Sequence, residues 1–474
     1  MKHFFFMLLL LNFHLCLSAQ SLKLPVKIIG HADFLNDGDT VKLLLYKYGL
    51  INQEKSFQKV VIAAVHHHDF KFDFPAENHP LCINITFNNH RQSDLIACFV
   101  VSGDNVKLNF GNEEVVVTGP KSKNFEIQYQ LRKIETDMEA NRRLPEFNAT
   151  NLQTFFLFHD SLTRREISFL KRHKNALSSQ IFDALTTQIN SSYDWLKYRF
   201  VNSYGEQYLE SSFNPILESY HKYILQFKQL KVNVNNSSCY SDVYIQSLWE
   251  KYKVDSCLEK RRSYDITTCL NYFARNYRGI LREQLVVATL CNGKQFPKDL
   301  KTSIERILPE ITNPDYRQFL QLIVSTRVEG ALAYNFSLKN VHDRTVHLMD
   351  FKDSVLVLDF WFTGCENCRE LAPFMAKIEK TFQNACIKFI GISVDRNKDG
   401  WLKSVNSGIY VSPEIVNLYT GGKGTQSDII KNYRVSAYPN LVLVSSKGTI
   451  INVSIDPRND DGVELMKQIN YCLK

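Results

Sequence analysis

Cys365 and Cys368 stand two residues apart at a change of texture in the chain. Before them, Val355-Leu356-Val357-Leu358-Asp359-Phe360-Trp361-Phe362 reads as a buried strand with one acid inside it. After them, Glu366-Asn367-Cys368-Arg369-Glu370-Leu371-Ala372-Pro373 reads as the start of a helix. Two intervening residues on a first helical turn bring the sulfurs within disulfide reach, and a helix amino terminus favours a thiolate on the first cysteine. That spacing suits reversible dithiol chemistry. Zinc also uses C-x-x-C, but it takes further ligands from a second C-x-x-C or an H-x-x-x-H pair, and the chain has neither. A plain structural disulfide is the other use of such a pair. His66-His67-His68-Asp69 is a second cluster of metal-type side chains. Neighbouring positions on a strand point to opposite faces, so these histidines are expected in an exposed hairpin, and neither metal nor cofactor is expected.

The elements that would position the cysteines follow from three regions of different texture. At about 150 residues per domain, 474 residues predict about three domains. Apolar residues make up 44% and charged residues 22%, which excludes a disordered or collagenous chain. Residues 22–120 alternate with period two between Gly, Asn and Asp turns, as in Phe70-Lys71-Phe72-Asp73-Phe74, and predict an all-β antiparallel sandwich or open barrel. Residues 122–328 change to three- and four-residue steps, as in Phe155, Phe156, Phe158 and Leu162, and predict an all-α region punctuated by Pro215, Pro297, Pro309 and Pro314. Residues 329–474 alternate strand and helix and predict an α/β fold.

The amino terminus carries an address. Met1-Lys2-His3 is basic, Phe4 to Leu17 is almost wholly apolar, and Ser18-Ala19 brings small residues, which together predict a signal peptide over residues 1–19. The run is too short and too interrupted, by Asn12 and His14, to span a bilayer. The processed chain is thus expected to be exported to the periplasm or cell envelope and not to span the membrane. Loss of Cys16 with that segment leaves an even number of the 11 cysteines. An oxidising compartment allows them to pair. Cys82 with Cys98 and Cys386 with Cys472 are candidate bridges, and Cys239, Cys257, Cys269 and Cys291 are either bridged or buried thiols. The 57 Lys and Arg against 49 Asp and Glu leave a net charge of +8, scattered along the chain, so no nucleic-acid partner is expected.

Residues 329–474 resemble the exported TlpA/ResA-like thiol-disulfide oxidoreductases of the thioredoxin superfamily. Asp359, Cys365, Cys368 and Pro373 fall at the family's spacing, and Tyr433-Arg434-Val435-Ser436-Ala437-Tyr438-Pro439 is similar to its cis-proline loop. Asn335-Phe336-Ser337-Leu338 followed by Val346-His347-Leu348 is similar to its lead-in hairpin. The resemblance implies a thioredoxin-like fold with Cys365 as the exposed nucleophile, Cys368 as the resolving thiol and Asp359 as the group that manages the proton of Cys368. It implies a substrate-binding surface at Pro439, Tyr438 and Trp361. It also implies oxidised envelope proteins as substrates and a membrane thiol transporter as electron donor.

The chain departs from the family in placing Gly364 where a tryptophan is usual and Glu366-Asn367 where Gly-Pro is usual. Gly391 stands in the neighbourhood where thioredoxins carry a lysine. Residues 22–118 more loosely resemble the β-rich accessory domain that precedes such modules. Two other readings stay open at this point. One is a peroxiredoxin-like peroxidase, although Thr363 lies too close to Cys365 for its P-x-x-x-T-x-x-C pattern. The other is a non-catalytic scaffold whose thioredoxin module serves as a dock.

Overall fold

The computed structural model describes residues 23–46, 57–87, 95–111, 114–141, 152–226, 241–293, 296–453 and 455–473. The expected signal segment with Cys16, and Cys239, lie outside these residues. The described residues fall into two compact units, one drawn from 1–46, 59–136 and 169–184, the other from 47–58, 137–168 and 185–474.

In the first unit the alternating segments form strands β1 (Val26–His31), β2 (Thr40–Tyr46), β3 (Gln58–Ala64), β4 (Asp69–Phe74), β5 (Leu81–Phe87), β6 (Leu95–Val100), β7 (Asn105–Phe110) and β8 (Val115–Thr118). They build two four-stranded sheets, in the orders β4-β1-β7-β8 and β3-β2-β5-β6. Both sheets contribute to one apolar core, with Ile28, Leu43, Phe72, Ile83 and Val106 among its buried members. The expected purely antiparallel pattern needs one correction: β1 pairs with β7 in parallel. The long stretch of chain between them supplies the crossover that parallel neighbours require. His66-His67-His68 makes the β3–β4 turn, with His67 and His68 at positive φ, and the three histidines face solvent.

Helix α1 (Lys123–Asn141) closes this unit, Gln128 accepting from the Phe99 amide at 2.7 Å. The candidate bridge between Cys82 and Cys98 is absent, neither of them being in a disulfide. Cys98 stands opposite Ile83 and Cys82 opposite Phe99, so a one-residue offset sends the two thiols to opposite faces.

The helical pattern of the middle region becomes α2 (Leu152–Arg172), α3 (Ser179–Gly205), α4 (Pro215–Gln226), α5 (Asp242–Lys253), α6 (Ile266–Asn276), α7 (Gly279–Cys291), α8 (Lys298–Ile307) and α9 (Pro314–Thr326). Pro215 and Pro314 each open a helix, where a missing amide hydrogen costs nothing. Buried Glu283 of α7 accepts from the amides of Thr312 (2.9 Å) and Asn313 (3.0 Å) and so anchors the entry to α9.

The second unit ends in a seven-stranded sheet. Its strands are β9 (Ser337–Asn340), β10 (Thr345–His347), β11 (Val355–Trp361), β12 (Ile387–Ser393), β13 (Val416–Tyr419), β14 (Asn440–Val444) and β15 (Ile450–Val453), in the order β10-β9-β13-β12-β11-β14-β15. β11 lies parallel to β12 and antiparallel to β14, and every one of its residues is buried. The helices are α10 (Glu366–Thr381), α11 (Lys398–Ser407), α12 (Asp428–Tyr433) and α13 (Val463–Cys472).

Val355 and Val357 pack with Leu371, Met375 and Ile378 of α10. Leu356, Leu358 and Phe360 face the other way, into a core continuous with α5–α9 that includes Leu285, Phe319 and Leu320. Arg434, just past α12, lays its guanidinium 4.5 Å from the centre of the Phe319 ring. Among the described residues no helix is long and apolar enough to cross a membrane.

Candidate active site

The site grows from the end of β11. The chain leaves the sheet at Phe362 and reverses through Thr363-Gly364. Gly364 has φ +91°, a left-handed conformation that favours glycine. Asp395 holds this turn, accepting from the Thr363 amide at 2.9 Å and hydroxyl at 2.8 Å. Cys365 is the N-cap of α10, and its Sγ accepts the Cys368 amide at 3.1 Å. The two sulfurs are joined in a disulfide with Cα atoms 5.2 Å apart. In the reduced form the same amide and the helix terminus favour negative charge on Cys365.

Both cysteines are covered. Cys365 is 4% and Cys368 2% exposed, in a cluster with Trp361, Trp401, Val405, Val411 and Tyr419 and, at its edge, Phe362, Tyr410 and Tyr438. The exposed nucleophile expected from the sequence is therefore buried in this oxidised state, because aromatic rings from remote segments close over it. Trp361 is also corrected: it is 0% exposed and stacks on Tyr410 at 5.5 Å, so it walls the cysteines and offers no open surface to a substrate. Tyr410 is fixed at its other end as well, its hydroxyl accepting the Gly364 amide at 3.0 Å. Tyr438 and Pro439 are half-buried, their peptide bond is cis, and the Tyr438 ring meets Phe362 edge-on at 5.4 Å.

Asp359 shares a face of β11 with Trp361, two residues on. It is 6% exposed and its Oδ1 has no hydrogen-bond partner among the described residues. Burial, helped by the charge of Glu379, raises its carboxyl to about 7, and burial raises Glu379 of α10 to about 7 as well. Across the parallel ladder from Asp359 lies Gly391, where a Cβ would stand 2.8 Å from Asn417 Oδ1 and 3.3 Å from Trp361 Nε1. Any larger residue there would have to displace Asn417.

Sequence reasoning missed Tyr410, Glu379, Asn417 and Arg458, which carry no local motif. Arg458, in the turn before α13, donates from Nη1 to Glu370 at 3.1 Å and to the carbonyl of Asn367, between the cysteines, at 3.3 Å. Cys386 and Cys472 are free, which corrects the bridge expected between them, as are Cys257, Cys269 and Cys291. Among the described residues no group of three or more His, Cys, Asp or Glu side chains could hold a metal ion.

A central strand flanked by a parallel and an antiparallel neighbour, a disulfide at the following helix cap and a cis-proline loop make the C-terminal part a thioredoxin-like domain. Residues 353–450 match the thioredoxin-like family model. The chain is similar to the thiol-disulfide oxidoreductase ResA of Bacillus subtilis, 26% identical over 125 residues that make up 26% of this chain and 66% of ResA. It therefore spans a little under two thirds of that relative. The thioredoxin-like protein YneN of the same species is 26% identical over 129 residues, 27% of this chain and 71% of YneN. A crystal structure of the thioredoxin domain of a thiol-disulfide oxidoreductase from Bacteroides vulgatus aligns with a TM-score of 0.28 at 23% identity, over 31% of this chain and 99% of that one.

Proposed function

We propose that the chain is an exported thiol-disulfide oxidoreductase that reduces disulfides of envelope proteins through Cys365 and Cys368. The observation that carries this reading is the Cys365–Cys368 disulfide at the cap of α10, with Cys365 accepting a helix amide. In the reduced protein, the Cys365 thiolate attacks one sulfur of a substrate disulfide. A mixed disulfide forms and the substrate's other sulfur leaves as a thiolate, which takes a proton. Cys368 then gives its proton to Asp359, attacks Cys365 Sγ and closes the internal bond, releasing the second substrate thiolate. Two electrons pass from the dithiol to the substrate.

A carboxyl that titrates near neutrality suits that proton transfer. Pro439 and Tyr438 offer backbone and ring to an extended substrate segment, and the Phe362, Tyr410 and Tyr438 rings shift to admit its sulfur. A membrane thiol transporter is the electron donor in this scheme, and the signal-like residues 1–19 are the reason for placing the work outside the cytoplasm. The β-rich region, read as a sandwich, serves as an accessory or partner-binding part.

The test is the midpoint potential of the Cys365–Cys368 couple, by equilibration with glutathione or dithiothreitol and with Cys365→Ser as control. A value near that of thioredoxin, about −270 mV, is expected for a reductant. A value near about −120 mV reverses the direction of electron flow, and the absence of any reversible couple removes the enzyme reading altogether.

A further inference from the structure

Nothing in the C-x-x-C itself points to Arg458, yet its guanidinium reaches the middle of that motif. Its Nη1 lies 3.3 Å from the Asn367 carbonyl, 3.4 Å from Asn367 Oδ1 and 3.1 Å from Glu370 Oε2. Nε and Nη2 donate to the two carboxylate oxygens of Asp456 at 2.9 and 2.7 Å. This two-pronged bond fixes the plane of the guanidinium. Pro457 is buried, and the Gly462 amide donates to the Pro457 carbonyl at 2.8 Å, so the turn that carries Arg458 is itself anchored.

Two of the acids around the active turn take their counter-charge from this side chain. Glu366 and Arg369 pair with each other on α10. Glu370 on the same helix and Asp456 before α13 both answer to Arg458. Asp395 lies under Thr363, and Asp359 lies behind on β11. Of these charged groups, acids outnumber bases, and without Arg458 the carboxylates of Glu370 on α10 and Asp456 before α13 lose their counter-charge. Negative charge there opposes a Cys365 thiolate.

We propose that Arg458 is a positioning residue which holds the first turn of α10 and supplies the positive charge that favours the reduced, thiolate form of Cys365. This deepens the oxidoreductase reading and rests on it for its purpose, though not for its measurement. A stabilised thiolate in the reduced form makes the couple more oxidising. Arg458 therefore moderates how strongly the dithiol reduces.

The experiment uses the full chain with Arg458→Met and Arg458→Lys. Each variant is reduced, and iodoacetamide labelling of the Cys365 peptide is followed against pH by mass spectrometry. With Met the profile moves to higher pH and the rate at pH 7 falls about three- to tenfold, since one unit of thiol pKa is a tenfold change in thiolate. The glutathione equilibrium moves toward the protein disulfide by a similar factor. Lysine, which keeps the charge without the fork, recovers most of the profile.

A Met profile superimposed on that of the parent overturns the proposal, and so does a Lys profile equal to that of Met. Should Arg458→Met fail to fold, Glu370→Gln decides in its place, with the profile expected to move to lower pH and an unmoved profile counting against. A parent chain lacking any reversible couple removes the oxidoreductase reading, while the labelling profile still decides on Arg458.

Discussion

Two groups of cysteines, buried except for half-buried Cys291, sit in the same unit and differ in almost everything else. In the helical region, Cys257, Cys269 and Cys291 lie among apolar side chains or against them, with no bonded partner sulfur. Burial raises all three thiols, Cys269 to about 12, against weaker lowering by the Thr289 and Tyr264 hydroxyls. In the thioredoxin-like domain, Cys365 and Cys368 are just as hidden, yet they cap a helix, receive an amide hydrogen and are bonded to each other. Solvent exposure alone does not tell the disulfide-bonded pair from the unbridged thiols. What separates them is the field of a helix amino terminus and the neighbouring groups that can take a proton or supply a charge.

The largest effect that could break this contrast is loss of the first sulfur. Cys365→Ser should lower disulfide reduction by at least about 10³-fold, leaving little more than background exchange. An assay with an oxidised protein substrate checks it, and residual activity within tenfold of the parent would return the site to a structural role.

Next comes direct labelling. In the folded, reduced chain at pH 8, Cys365 should react with iodoacetamide at least about 100-fold faster than Cys269, whose thiolate is scarce so far below its pKa. Comparable rates at the two positions would dissolve the distinction drawn above.

Asp359→Asn sharpens the comparison from the acid side. The Asp359 carboxyl rises from 3.8 to about 7 on folding, so the folded chain binds the extra proton between those values. By linkage, the stability tied to this proton is present at acidic pH and is lost as pH rises through about 4 to 7. Three units correspond to about 4 kcal/mol at most, with about 2–3 kcal/mol expected once relaxation is allowed for. The Asn variant should melt higher than the parent at pH 8, show a flatter Tm profile from pH 4 to 7, and resolve mixed disulfides about tenfold more slowly. An unchanged Tm profile would show that Asp359 does not titrate in that range.

The smallest effect belongs to Tyr410→Phe, which removes only the acceptor of the Gly364 amide. Reduction by dithiothreitol should change by less than about threefold, because one half-exposed hydrogen bond is worth about 1 kcal/mol or less. A larger change would make that hydroxyl part of the thiol chemistry.

The sequence made the local features of the site readable and hid its enclosure. Cys365, Cys368, Asp359 and Pro439 stand at characteristic spacings, and the strand and helix that hold two of them adjoin in the chain. The alternation of residues 22–120 and the three- and four-residue steps of residues 122–328 likewise follow from which faces are buried. Part of the cover over Cys365 comes from Tyr410, which no spacing links to the cysteines. Long-range register was hidden too. The parallel pairing of β1 with β7 and the one-residue offset that parts Cys82 from Cys98 are decided by packing across sheets. Arg458 reaches Asn367 across 91 residues of chain, beyond any local pattern.

The core that runs from β11 into α5–α9 has a consequence for how this part of the protein comes apart. Leu356, Leu358 and Phe360 on one side and Leu285, Phe319 and Leu320 on the other are buried by each other's company. Peeling the helices away would strand both apolar faces in water, at about 25 cal/mol for each Å² uncovered. These helices and the sheet should therefore melt in a single cooperative transition, and amide exchange in α9 and β11 should share one opening free energy. A chain cut at Val328 would give up that common transition, and its sheet would carry a newly bared face ready to aggregate.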